Sequence, residues 1–152
     1  MNETVIESLN KAISLHLEAS FHYLIASVQF GQEYPKLSET LSAYAADEQL
    51  HLRKVADRLN FFEVRPTSEH LPPASWEYLN YESFLDASLS MAERARAIEA
   101  DGIVDCREAG DETSALLFAD LLKGSEEFIR GVQATKTRID QAGLDNVLSS
   151  FM

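Results

Sequence analysis

Residues 45–59, AADEQLHLRKVADRL, decide how this chain folds. In helical register they carry forward an apolar stripe through Leu37, Leu41, Tyr44/Ala45, Leu52, Val55 and Leu59. That spacing belongs to a helix with one buried face. Glu48 and His51 interrupt the stripe where further aliphatic residues are due. A carboxylate and an imidazole turned toward a core need compensation, because an unpaired buried charge costs several kcal/mol. A bound metal ion supplies it in one reading, and a plain Glu–His pair in the other.

The same periodicity extends in both directions. Ile6, Leu9, Ile13, His16/Leu17, Ser20 and Tyr23/Leu24 mark a first helix, with a capping box expected at Thr4-x-x-Glu7 and an end near Gly31 and Pro35. The second helix is expected over about 37–62 and is closed off by Pro66. A third, over about 81–109, turns Phe84, Met91, Ala95, Ile98 and Gly102 inward. Gly110 then suits the left-handed residue after a helix, and Asp111 suits the cap of the next. The fourth helix faces inward with Phe118, Leu121, Ser125, Phe128, Val132 and Ile139, and stops by Gly143. Leu144, Val147, Leu148 and Phe151 fit a short fifth helix. No segment shows two-residue alternation, so the chain reads as all-α and as a single domain over residues 1–152.

Connection lengths set the topology. GQEYPKL and AGDETS are short, so each joins antiparallel neighbours. The middle link, EVRPTSEHLPPASWEYLN, has 18 residues. Extended, it reaches about 60 Å, more than the roughly 38 Å of a 25-residue helix. Two antiparallel hairpins joined by one end-to-end crossover form an up-down-down-up four-helix bundle of the ferritin-like type.

Composition narrows the function. Asp and Glu number 25 against 13 Lys and Arg, a net charge of −12. Such a chain repels phosphate backbones and anionic lipid, so neither nucleic acid nor membrane is an expected partner. The one cysteine, Cys106, cannot form an internal disulfide, and the start MNETVIES is unlike a secretion signal. The expected location is the cytoplasm.

Sixteen Glu and four His make a Glu-x-x-His pair common by chance, so Glu48–His51 gains weight only from its place on an inward stripe. Residues three apart share a helix face and can grip one ion. His16, on the inward stripe of the first helix, is placed to reach the same level. A satisfied core histidine is the other reading of it. Glu18 and His22 are expected outside as a solvated pair one turn apart, and Glu126–Glu127 as an exposed face. His70 carries no spacing signal, and Tyr23 and Tyr44 are expected to pack in the core.

SLHLEASFHYL (14–24) followed by DEQLH (47–51) is similar to the first two helices of ferritins and bacterioferritins. AGLDNVL (142–148) resembles the bacterioferritin junction between the fourth helix and the short fifth. The resemblance implies a shell of many subunits that stores iron, with two irons per bundle in active members. Their ligands are a Glu from the first helix, Glu-x-x-His from the second, a Glu from the third, and Glu-x-x-His or Glu/Gln from the fourth. Glu48 and His51 match the second-helix ligands, and Tyr23 matches a tyrosine kept beside the site. The first-helix Glu position holds His16. Met91 (or Ala92) stands at the third-helix position, unless a shifted register offers Glu99, and the fourth-helix motif reads Ser125-x-x-Phe128. Gln49 stands where bacterioferritins carry a haem-ligating Met, so no haem is implied.

One Glu and two His can hold a single ion, iron or zinc. They cannot neutralise and bridge two. The expectation is a degenerate di-iron centre of Glu48, His51 and His16. The protein would be an iron-storing shell subunit, weak or inactive in ferrous oxidation alone, as in light-chain ferritins. It would form a large homo-oligomer or co-assemble with an active ferritin subunit. The alternative is an active ferroxidase or small di-iron oxidase completed by Glu99.

Overall fold

Each helix begins and ends where local chemistry dictates. The computed structural model describes residues 2–68 and 76–152. The first helix, α1 (Glu3–Gly31), is capped by Asn2, whose side chain accepts from the Thr4 and Val5 amides. The expected Thr4 capping box gives way to this cap two residues earlier. α2 (Pro35–Phe61) starts on a proline, whose missing N–H costs nothing in a first turn. α3 (Tyr81–Glu108) opens with a reciprocal cap between Asn80 and Ser83. It ends at Gly110, which adopts φ 75°, a conformation only glycine takes freely. Asp111 caps α4 (Glu112–Ala142), and Gly143 at φ 88° breaks the chain before α5 (Leu144–Ser149).

Cross-helix bonds fix the topology. From α1 to α3, Ser8 bonds Asp105 at 2.8 Å, Glu18 pairs with Arg94 at 3.0 Å, and His22 bonds Ser88 at 2.8 Å. As one helix number rises the other falls, so the two are antiparallel. Arg58–Ser114 and Lys54–Asp120 show the same for α2 and α4. With antiparallel α1–α2 and α3–α4 hairpins, the order is up, down, down, up. The crossover spans the bundle as expected. Asn10 receives the Thr67 amide at 2.9 Å, while Gln29 bonds both the Tyr78 amide and its carbonyl. Those anchors are about 28 Å apart along α1. His70 lies outside the described residues.

The interior is two apolar cores. One, around Leu9, Val55, Leu59, Cys106 and Phe118, fills the end where α1 begins. There α3 and α4 approach closely at Gly102, where a Cβ would come within 2.9 Å of the Phe118 ring. The other, around Tyr23, Leu41, Phe84 and Val132, fills the opposite end and takes in Val147 and Leu148 of α5. Phe151 closes that end, its carbonyl accepting from the Lys36 amide at 3.0 Å.

Arg58 clamps the first end. Its guanidinium donates to Asp111 and Ser114 at 2.8 Å each and lies over the rings of Phe61 and Phe62. Asp111 is partly desolvated, but its bonds from Ser114 and Arg58 outweigh that and hold its carboxyl below the usual range. Arg58→Met should destabilise the fold by about 2 kcal/mol, between an exposed and a fully buried pair. Asp111→Ala should cost more, since the α4 cap goes too. Urea unfolding measures both. The Arg58→Met deficit should shrink below about pH 4, where Asp111 takes up a proton and its stabilisation is lost.

Candidate metal centre

A polar belt separates the two cores. Its α1–α2 half is His16, Glu48 and His51. His16 Nδ1 stands 2.6 Å from Glu48 Oε2, and His51 Nδ1 approaches the same oxygen at 3.6 Å, too far for a hydrogen bond. The imidazoles meet edge to face at 5.3 Å. Among the described residues, one group of three or more His, Cys, Asp or Glu offers ligand atoms all within 4.8 Å of one another, and it is this one.

The electrostatics are one-sided. Burial pushes the Glu48 carboxyl up, but the His16 hydrogen bond and the two imidazoles beside it overcome that and hold it down at about 2. Glu48 is therefore ionised. In return it raises the His51 imidazole against the opposing effect of burial. Two imidazole nitrogens, His16 Nε2 and His51 Nδ1, are buried with no hydrogen-bond partner. Buried ring nitrogens are rarely left so, and a cation beside an anionic carboxylate would satisfy both. The donor set fits one divalent ion.

The α3–α4 half of the belt is Glu99 and Ser125. Glu99 is fully buried; its Oε1 accepts from Ser125 at 2.9 Å and its Oε2 has no partner. Burial drives its pKa up to about 8, against the pull of the Ser125 bond and with a push from the Glu48 charge. At neutral pH this half of the belt is a neutral acid beside a hydroxyl.

A cavity of about 340 Å³, lined by residues of all four long helices, opens onto the belt. His16, Glu48, His51, Met91, Ser125 and Phe128 all line it. The positions that the sequence likeness aligned with ligands thus converge on one space, including those that hold no ligand type. Tyr23 lines it too, its ring 5.7 Å from Tyr44 and 5.5 Å from Phe128. Glu99 stands outside the three-residue group and is not among the residues that line the cavity; its partner is Ser125. Sequence reasoning gave Glu99 no place on the inward stripe; the four-residue steps from Met91 through Ala95 to Glu99 were the available signal.

His22 overturns its expectation. It is buried, not solvated, and Glu18 pairs with Arg94 instead. Ser88 donates to the Phe84 carbonyl at 2.9 Å, so its oxygen accepts from His22 Nε2–H. That leaves His22 Nδ1 to accept from the Tyr78 hydroxyl. Burial lowers the His22 pKa to about 4, and the ring is a neutral tie between α3 and the crossover.

A bundle of two antiparallel hairpins and one end-to-end crossover, with a histidine–carboxylate centre midway along it, has the plan of the ferritin-like proteins. The family model described as a ferritin-like domain matches residues 6–142, and the chain belongs to that family. Among curated relatives, a bacterioferritin of Mycobacterium leprae (strain TN) is 25% identical over 140 residues, covering 91% of this chain and 87% of the relative. One from Mycobacterium avium is 25% identical over 142 residues, covering 93% and 89%. One from Brucella melitensis biotype 1 is 31% identical over 129 residues, covering 82% and 78%.

Glu99→Gln isolates the neutral acid. Glu99 holds a proton in the folded state between its unfolded pKa of about 4.3 and its folded value near 8, so native stability should fall as pH rises through that window. Glu99→Gln should flatten the fall and be the more stable protein at pH 8. Chemical unfolding of both at pH 5, 6.5 and 8 measures it; parallel curves would show that Glu99 ionises normally.

Proposed function

We propose that this protein is an iron-storing, ferritin-like shell subunit whose interior centre of Glu48, His51 and His16 takes one divalent ion and which oxidises ferrous iron poorly by itself. The observation that carries the reading is two buried imidazole nitrogens without a partner, His51 Nδ1 beside the ionised Glu48 and His16 Nε2 on the ring whose Nδ1 meets that carboxylate. Family membership supports iron as the cargo. Two imidazoles and one carboxylate suit iron, and zinc would bind in its place in vitro.

The charge balance argues for one ion. A single dication beside Glu48 leaves one net positive charge. Two dications about 3.5–4 Å apart would face that same single carboxylate, because Met91, Ser125 and Phe128 add no charge, Glu99 is neutral, and the other acids lining the cavity, Asp47 and Glu127, stand outside the cluster of ligand atoms. Oxygen then meets one iron and one available electron, which disfavours the two-electron step of an active ferroxidase. The reading includes no haem, since Gln49 offers no axial ligand of the expected kind. It places the protein in the cytoplasm, in a homo-oligomer or beside a catalytically active ferritin subunit.

A second reading, an active ferroxidase or small di-iron oxidase, is favoured by the free Oε2 of Glu99. Were Glu99 to lose its proton as a second ion arrived, it would supply the missing carboxylate.

Anaerobic titration with ferrous iron or zinc should saturate near one ion per subunit, weaken as pH falls through the imidazole range, and be lost in Glu48→Ala. Ferrous oxidation should stay close to the buffer background. Met91→Glu with Ser125→Glu and Phe128→His should raise it. Two ions per subunit and rapid oxidation, both abolished by Glu99→Ala, would select the second reading.

A further inference from the structure

A second cavity, of about 260 Å³, lies on the α5 side of the metal centre. Its walls come from all four long helices and from Phe151. Tyr23, Tyr44 and Phe128 part it from the metal cavity; they line both, with ring centres 5.5 to 5.7 Å apart. On the far side Tyr81 stacks on Phe84 at 6.2 Å and meets Phe151 edge to face at 6.0 Å. The most buried hydroxyls of this aromatic box have no partner. Tyr81 is 6% exposed and lines this cavity but not the metal one. Its hydroxyl, like those of Tyr23 and Tyr44, makes no hydrogen bond among the described residues. Gly131 adds to the opening from α4, where a Cβ would meet nothing within 4 Å. A glycine inside a helix is less stable than alanine, and no neighbour here excludes the methyl group.

We propose that this cavity is a binding site for a small aromatic carboxylate, its ring held among Phe84, Phe128 and Phe151 and its carboxylate by Arg138 and the Tyr81 hydroxyl. Charge selects the acid. Arg138 lines the cavity and makes no ion pair among the described residues, although the chain carries a net charge of −12 and acids are plentiful. Burial raises the Tyr81 hydroxyl to about 12 against the pull of that guanidinium, so beside Arg138 it remains a proton donor at neutral pH. An anion is what a guanidinium and an unpartnered O–H both accept. The one carboxylate in the lining is Glu127. It stands eleven residues from Arg138 on the same helix, roughly 16 Å away along the axis, at the rim shared with the metal cavity. Shape selects the ring. A mostly apolar space walled by aromatic faces and edges, with a few polar groups at one end, takes a flat apolar body that carries a single polar head.

The site is independent of the iron reading, and calorimetric titration of the native chain with 4-hydroxyphenylacetate tests it directly. A ligand of that size should bind with a Kd between about 0.1 and 1 mM. Its neutral amide should bind about tenfold more weakly, and tyramine, which replaces the carboxylate with an ammonium, more weakly still. Arg138→Gln and Tyr81→Phe should each weaken the acid about tenfold and leave the amide nearly unchanged, because each removes a contact to the head alone. Gly131→Phe should abolish binding of both by filling the cavity. Arg130→Gln, which removes a cation from α4 outside the lining, should behave as the native chain. Circular dichroism confirms the fold of each variant, and Arg138→Gln, at an exposed position, keeps the test open if Gly131→Phe fails to fold. Acid and amide binding alike would overturn the charge assignment, and tyramine binding best would reverse it. Acid binding that survives both Arg138→Gln and Gly131→Phe would place the ligand elsewhere and overturn the site. No binding of the acid up to about 10 mM would overturn the proposal outright.

Discussion

The short contact between His16 and Glu48 is the constraint around which the interior is organised. It joins the two helices of the first hairpin midway along the bundle, where an all-apolar protein would run one continuous core. Instead the core is divided, with Leu9, Val55 and Phe118 on one side and Tyr23, Leu41 and Phe84 on the other. A partly buried carboxylate stays ionised there because two imidazoles stand beside it, and their influence on Glu48 exceeds the cost of its desolvation. Removing water from the belt raises the stakes for every polar atom in it, satisfied or not.

That constraint makes the two hairpins chemically unequal. The α1–α2 half of the belt holds an anion and its imidazoles. The α3–α4 half holds a neutral acid and a hydroxyl, and the Glu48 charge itself helps keep Glu99 protonated. A single negative charge among two unpartnered ring nitrogens is the electrostatics of a one-cation site. Phe128 and Met91 add apolar surface to the cavity wall, and the acids Asp47 and Glu127, which also line it, stand outside the cluster of ligand atoms. The centre is therefore lopsided by construction, and its capacity follows from charge more than from space.

Both faces of α1 have work. Its inner face supplies His16 and much of both cores. Its flank ties down the crossover through Asn10, His22 and Gln29. The remaining line, Phe21 to Val28, is apolar and uncovered within the subunit.

The sequence by itself determined the helices, their order and their topology. Apolar spacing, the turn residues Gly110, Asp111 and Gly143, and one long link against two short ones are local or geometric facts that no tertiary context alters. It also marked Glu48, His51 and His16, because charged or ring-nitrogen residues on an inward stripe are visible as interruptions. Only the tertiary structure decided what surrounds them. His22 was read as solvated because one helix's periodicity cannot register a crossover laid over its flank. Its partners Tyr78 and Ser88 are 56 and 66 residues away. Glu99 was read as an alternative ligand; it became a buried neutral acid because Ser125 of the next helix meets it and desolvation outweighs that bond. Protonation depends on which groups from distant helices share a low-dielectric space, and that is a property of the packed bundle rather than of any one helix.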